Sequence, residues 1–191
     1  TLSDPAGGNI SVTAGGEIQL NGTTRQVGVR TLGDVTLTAA KITGSPTGVV
    51  IANNLTTQST GTTDLSGANQ VASFNGTSSG GNVNLNNVGG LNLTGLSAAG
   101  SAALTADAVN GAGNVSTASG FTVAVTGDSL LSGVISGAGG LNKNGAGTLT
   151  VSGNNTYAGD TNVLAGTLAL GGTDRTNSGV VNISSGATYR G

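Results

Sequence analysis

The sequence predicts an all-β chain, a parallel β-helix in which short strands coil into a single β-solenoid. Three observations carry this expectation. The composition is rich in glycine and poor in charge. Short segments alternate apolar and polar residues with period two. Several of these strand–turn–strand segments resemble one another.

The chain has 191 residues, and 36 of them are glycine. Charged residues make up 7%, against about 25% in an ordinary globular protein. Aromatics are 2%, and Trp and Met are absent. A thick globular core is hard to build from such residues, whereas a thin one of Val, Leu, Ile and Ala is feasible. Disordered chains combine low hydrophobicity with high net charge. Here the formal charge is only −2, and β-branched residues alternate with polar ones as no Gly/Ser linker would.

The same composition narrows function. Without Cys there is neither a disulfide nor a thiolate metal site, which suits a protein that crosses membranes unfolded. Arg25, Arg30, Lys41, Lys143, Arg175 and Arg190 are scattered, so no basic footprint for nucleic acid exists. No stretch approaches the roughly 20 apolar residues of a membrane helix, and membrane insertion by this segment is not expected. No charged-then-apolar leader opens the sequence, so a signal peptide is expected to be removed or to lie outside it.

The strands come in order. They are "NISVTA" from Asn9, "EIQLNG" from Glu17, "DVTLTA" from Asp34, "NVNLNN" from Asn82, "GLNLTG" from Gly90, "FTVAVTG" from Phe121, "GTLTVSG" from Gly147, "GTLALGG" from Gly166 and "VVNISSG" from Val180. Each reads as four or five strand residues followed by turn chemistry. Asn9–Gly22 and Asn82–Gly95 align with one inserted residue, and Asn114–Gly127 is a looser third copy. The spacing between copies is irregular, so no fixed period is assigned. Such segments fold by stacking, because neighbouring coils pair their backbones and line up their apolar side chains. Coils of about 20–25 residues would give about eight of them, roughly 40 Å tall at sheet spacing. The core is expected to include Leu149, Val151, Val123, Val125 and Leu168. Turns are expected at Gly145, Gly147, Gly153, Gly159 and Gly166, some with φ > 0. Asn is expected at corners because it tolerates φ > 0 better than most residues.

Leu141–Leu168 reads "LNKNGAGTLTVSGNNTYAGDTNVLAGTL". It resembles the autotransporter-associated β-strand repeat of bacterial passenger regions in its "L-x-K-x-G-x-G-x-L-x-x-S-G" run, its "N-x-Y-x-G" turn with Tyr157 and Gly159, and its closing "V-x-A-G-T-L" strand. "GDVTLTAAKITG" from Gly33 and "GGNVNLNNVGGLNLTG" from Gly80 resemble repeats of filamentous-haemagglutinin-type exoproteins. These resemblances imply a right-handed β-helix, exported by a type V route and displayed on or shed from a Gram-negative cell, with any outer-membrane anchor outside this chain. They divide the continuous solenoid into haemagglutinin-like repeats over 1–130, the autotransporter-type repeat over 131–171 and a further coil over 172–191.

Candidate chemistry is sparse. With no His, a Ser-His-Asp triad is excluded and only a Ser-Lys variant remains. Lys143 reads as a solvated turn residue. The acids are Asp4, Glu17, Asp34, Asp64, Asp107, Asp128, Asp160 and Asp174. Most lie beside Gly, where an Asp side chain stabilises a turn. A glycan-cleaving β-helix would need paired acids and aromatic platforms, and only Phe74, Phe121, Tyr157 and Tyr189 exist. "GAGGLNKNGAG" from Gly137 has no Asp for calcium, and the Thr36/Thr38 pairs are too few for an ice-binding array. Sequons at Asn9, Asn21, Asn54, Asn75, Asn92, Asn114, Asn154 and Asn182 follow from composition. No catalytic residue, cofactor or metal is expected. The expected role is a structural and adhesive stalk, with a self-associating adhesin and a glycan-degrading enzyme as alternatives. A flat Asn/Thr surface favours the former and a deep acidic groove the latter. Neither "TLSDPAGG" nor "VVNISSGATYRG" reads as a cap. The expected partners are therefore further coils of a parent chain or end-to-end copies, besides host or bacterial surface receptors.

Overall fold

A strand of three or four residues has too little apolar surface to stand alone, and here each finds its partners in the coils before and after it. The computed structural model describes residues 2–23, 28–171 and 179–191; Arg25, Asp174 and Arg175 lie outside the described residues. Among the described residues the chain forms 22 strands and no helix. The strand pairings are parallel throughout. The chain is a parallel β-solenoid of about eight coils, roughly 38 Å tall at sheet spacing.

Hydrogen-bonded partners in successive coils lie 19 to 21 residues apart along most of the chain and 25 apart near its start. Most coils thus lie at the short end of the expected length of about 20–25 residues. In the C-terminal half two successive coils each show three sides. One coil runs through Val115–Thr117, Gly120–Val125 and Ser129–Leu131; the next runs through Ile135–Ser136, Leu141–Asn144 and Thr148–Val151. In the middle, strands run through corners without a break. Thr63–Ser78 is a single strand of 16 residues, longer than the alternation implies. Asn69 holds its bend. The Nδ2 group donates to the carbonyls of Leu65, Gly67 and Asn86 at 2.8, 2.9 and 2.9 Å, and Oδ1 accepts the Val50 N–H at 2.8 Å.

The core is a set of side-chain columns. On the second side, Ile18, Ile42, Thr63, Val83, Ala102, Phe121, Leu141, Thr161 and Val181 stack one above another. Val123 and Val125 lie beside this column, and Leu149, Val151 and Leu168 line the third side; all five are buried. Thr57 also points inward, and its hydroxyl has no hydrogen-bond partner.

The three look-alike segments sit unexpectedly. Ile10–Thr13 and Val115–Thr117 lie on the first side, linked through the register Val12, Leu37, Thr57, Gly76, Leu96 and Val115. Val83–Asn87 lies on the second side. The first and the looser third copy are thus equivalent, while the better sequence match is displaced by one side. The signature marks a corner rather than a particular corner. Its leading Asn has a common task. The Oδ1 atoms of Asn9, Asn82 and Asn114 accept the N–H of Asp34, Ser101 and Val134, each one coil further on.

That observation corrects the reason for the abundance of asparagine. Among the described residues no residue other than glycine has positive φ. Asparagine serves the corners through its side chain, which substitutes for a backbone partner where a strand ends. Glycine serves them through stacking. Gly145 and Gly166 have φ of 77 and 67, and a Cβ on Gly166 would meet the carbonyls of Gly147 and Gly145. Gly147 and Gly153 do not have positive φ, yet a Cβ on either would strike the carbonyl of the glycine one coil earlier, Gly127 or Gly133. A Cβ on Gly159 would meet the Gly140 nitrogen at 2.5 Å.

Leu149→Ala should therefore cost about 2–5 kcal/mol, and Thr150→Ala, on the outward face, far less. Equal shifts in chemical denaturation would contradict the assignment of sides. Because the obstruction at Gly153 is at Cβ itself, Gly153→Ala should already lower the melting temperature, and Gly153→Val more so. An unchanged melting temperature for both would show that the stacked corners can spread.

Candidate functional site

Burial and alternation together bring one unusual group to the centre of the molecule. Leu141 and Lys143 have the same parity in the strand Leu141–Asn144, so both side chains face inward. Lys143 stands in the column Leu65, Leu85, Leu104, Val123, Lys143, Val163 and Ile183 and is fully buried. The expectation of a solvated turn residue is incorrect. Its four methylenes fill the place of an aliphatic residue, and its ammonium reaches the corner. There Nζ donates to the carbonyls of Asn144 and Gly145, both at 2.8 Å, and to Ala165 of the next coil at 3.2 Å. All three N–H bonds are used, and two successive corners are tied together. Burial pushes the Lys143 ammonium below the usual lysine range.

A second buried polar contact lies at the strand that follows in the next coil. Tyr157, between strands, is 2% exposed, and its hydroxyl lies 2.7 Å from Thr161 Oγ1. Tyr157 lies between strands, where the sequence places a turn, and its ring belongs to the core. Phe74 and Phe121 are also fully buried, which leaves half-buried Tyr189 as the remaining aromatic. None of the three buried rings can act as a platform for a sugar.

Among the described residues the acids form no metal-binding group of three or more. Asp4 Oδ1 accepts the Ala6 N–H, Asp34 Oδ1 accepts Asn54 Nδ2, and Asp160 Oδ1 accepts the Val180 N–H. Glu17 accepts the Thr43 hydroxyl at 2.6 Å and pairs with Lys41 at 3.2 Å. These two contacts, the hydroxyl first, hold its carboxyl below the ordinary value. A groove of about 410 Å³ follows one corner past Ser78, Ser97, Ser116 and Thr117 and contains no carboxylate.

The outward surface of the second side is polar. Gln19, Thr43, Asp64, Asn84, Ala103, Thr122, Asn142, Asn162 and Asn182 stand in one column. Its last members form an amide ladder. Asn182 Nδ2 donates to Asn162 Oδ1 at 2.9 Å, Asn162 Nδ2 to Asn142 Oδ1 at 2.7 Å, and Asn142 Nδ2 to Thr122 Oγ1 at 3.3 Å.

The buried lysine, the stacked glycines and the inward tyrosine fall within one segment. Residues 141–170 match the family model of the passenger-associated transport repeat. This is a repeat of autotransporter passengers, and it identifies the segment as part of a secreted or surface-displayed protein. No curated protein and no solved structure matches the chain. The repeat occupies a coil and a half of the same stack that the remaining coils continue, with Leu141 paired to Phe121 before it and Thr161 to Val181 after it.

Lys143→Met should keep the aliphatic column and leave three corner carbonyls without a donor, for a loss of about 1–3 kcal/mol at neutral pH. The loss should depend on pH. Since the folded-state pKa is lowered, the unfolded chain binds more protons between that value and the ordinary lysine value of about 10.4. Wild-type stability then rises with pH through that window, where the variant has nothing to titrate. Chemical denaturation at neutral and alkaline pH should show the gap between the two widening. A narrowing gap would mean that the ammonium is stabilised rather than penalised by its site.

Proposed function

We propose that the chain is a structural and adhesive β-helical stalk segment of a type V-secreted bacterial surface protein. The observation that carries this reading is the passenger repeat at 141–170 lying in one continuous stack with the coils on either side. The chemistry agrees with it. The buried Lys143 and Asn69 side chains tie successive coils together, and the outward column of the second side is mostly uncharged amides and hydroxyls. Such a rod can carry contact surface away from a cell without a deep pocket. The described acids engage backbone, amide, hydroxyl or lysine partners one by one at Asp4, Asp34, Asp160 and Glu17.

A second reading, a self-associating adhesin, is favoured by the amide ladder. Each outward Asn retains hydrogen-bonding capacity beyond the bond it makes along the column, so a flat face of this kind can meet another.

Display of the chain on the surface of otherwise non-adherent bacteria tests both. Increased attachment to abiotic or host surfaces supports the stalk-adhesin. Cell–cell clumping that is lost in an Asn142→Ala, Asn162→Ala, Asn182→Ala triple variant, with the melting temperature retained, supports self-association. Unchanged attachment and clumping would remove the adhesive part of the proposal, and release of sugars from a glycan panel would replace it with an enzymatic one.

A further inference from the structure

Asn21, Asn75, Asn110 and Asn144 each precede a glycine. In such a pair the following backbone nitrogen can reach the side-chain carboxamide with no Cβ to obstruct it. The fold treats the four differently. Asn75 and Gly76 lie inside the strand Thr63–Ser78, and the space a Gly76 side chain would take is filled by the Phe74 ring and Val83. Asn110 Oδ1 accepts the Leu130 N–H at 2.8 Å, and the Gly111 N–H is bound to the Leu130 carbonyl at 3.0 Å, so both reacting groups are held. Asn21 is exposed, and its glycine carbonyl accepts the Thr47 hydroxyl at 2.8 Å. Asn144 is exposed too, but there the Gly145 nitrogen already lies against the carboxamide, donating to Oδ1 at 2.8 Å.

One further contact distinguishes Asn144. The Lys143 ammonium donates to the Asn144 backbone oxygen at 2.8 Å. That oxygen belongs to the same peptide group as the Gly145 nitrogen. Loss of the Gly145 N–H proton leaves an imidate whose negative charge resides largely on this oxygen, and a cation held there favours it. A second Lys143 bond, to the Gly145 carbonyl at 2.8 Å, fixes the other side of the glycine.

We infer that Asn144–Gly145 is a site of self-deamidation, with the Gly145 nitrogen as nucleophile and the buried Lys143 ammonium as its electrophilic activator. Hydroxide removes the Gly145 amide proton and becomes water. The exposed carboxamide rotates so that the nitrogen attacks Cγ, forming the N–Cγ bond. The Cγ–Nδ2 bond breaks and, with a proton from water, leaves as ammonia, giving a succinimide. Water then opens the ring at either carbonyl, giving aspartate or isoaspartate at this position. Either product alters the corner that Lys143 ties. Aspartate adds a carboxylate beside the ammonium. Isoaspartate adds a backbone atom in a column where the Gly145 oxygen would lie 2.5 Å from a Cβ on Gly166.

Incubation of the native chain in mildly alkaline buffer, followed by peptide mapping and isoaspartate detection, tests this. The Asn144 peptide should convert while the Asn75 and Asn110 peptides remain amides. Conversion at Asn144 should be faster in the native chain than in the chain unfolded in denaturant, because only the fold supplies the ammonium. Asn144→Gln should lose the reaction. Lys143→Met should slow it, with retained protection of Asn75 and Asn110 reporting that the variant is folded. Should Lys143→Met unfold, the comparison of native and denatured wild type still decides. Conversion at Asn144 no faster in the native chain than in the denatured one would overturn the role of Lys143, and an unreacted Asn144 would overturn the site.

Discussion

Register between coils governs this molecule. Because the strands are parallel and in step, the residues that matter to a given side chain lie about one coil before and one coil after it. Burial, hydrogen bonding and steric room are all decided along that direction. Gly153 is small because Gly133 lies beneath it. Asn114 is an asparagine because the Val134 N–H needs an acceptor. Asn142, Asn162 and Asn182 recur because each amide completes its neighbour. A chain read from left to right shows these as low-complexity composition. Read down the columns, they are specific contacts.

The inward alternation of "TLTV" and "FTVAV" was legible because period two needs no knowledge of the coil length, and Leu149, Val151, Val123 and Val125 are buried accordingly. The coil length was harder to read. The look-alike segments at Asn9 and Asn82 occupy different sides, so their spacing measures corners, not turns of the helix. The recurrence of Gly113, Gly133 and Gly153 was the better ruler, and only stacking explains why glycine returns there. Lys143 set two rules against each other. Parity with Leu141 placed it inside, and its charge suggested the outside. Parity prevailed because the stem is as apolar as its neighbours and three carbonyls meet the ammonium. Sequence alone names no acceptor at such a depth, since all three are backbone atoms.

The thin core also accounts for what the chain lacks. A coil of three short sides encloses only two or three inward side chains from each, such as Phe121, Val123 and Val125 on one and Leu149 and Val151 on another, so the interior has room for few large rings. Phe74 and Phe121 are both fully buried, and the Phe74 ring occupies the space a side chain at residue 76 would need. More aromatics would require wider coils. With the interior so limited, stability comes from repetition of modest contacts rather than from any dominant cluster. Substitutions are then felt mainly by the coils directly above and below.

The steadiness of the coil step has an evolutionary side. Removing one residue from a strand turns every later side chain of that strand to the opposite face and shifts each corner away from its glycine and asparagine neighbours. Removing a whole coil keeps the parity and the strand pairing of the rest, so that only the two ladders newly brought together have to fit. Genetic drift in length is thereby filtered into a single unit. Lineages carrying such a gene can grow or shorten the rod by recombination between its own coils, while point insertions are discarded. Reach becomes a trait that changes by counting.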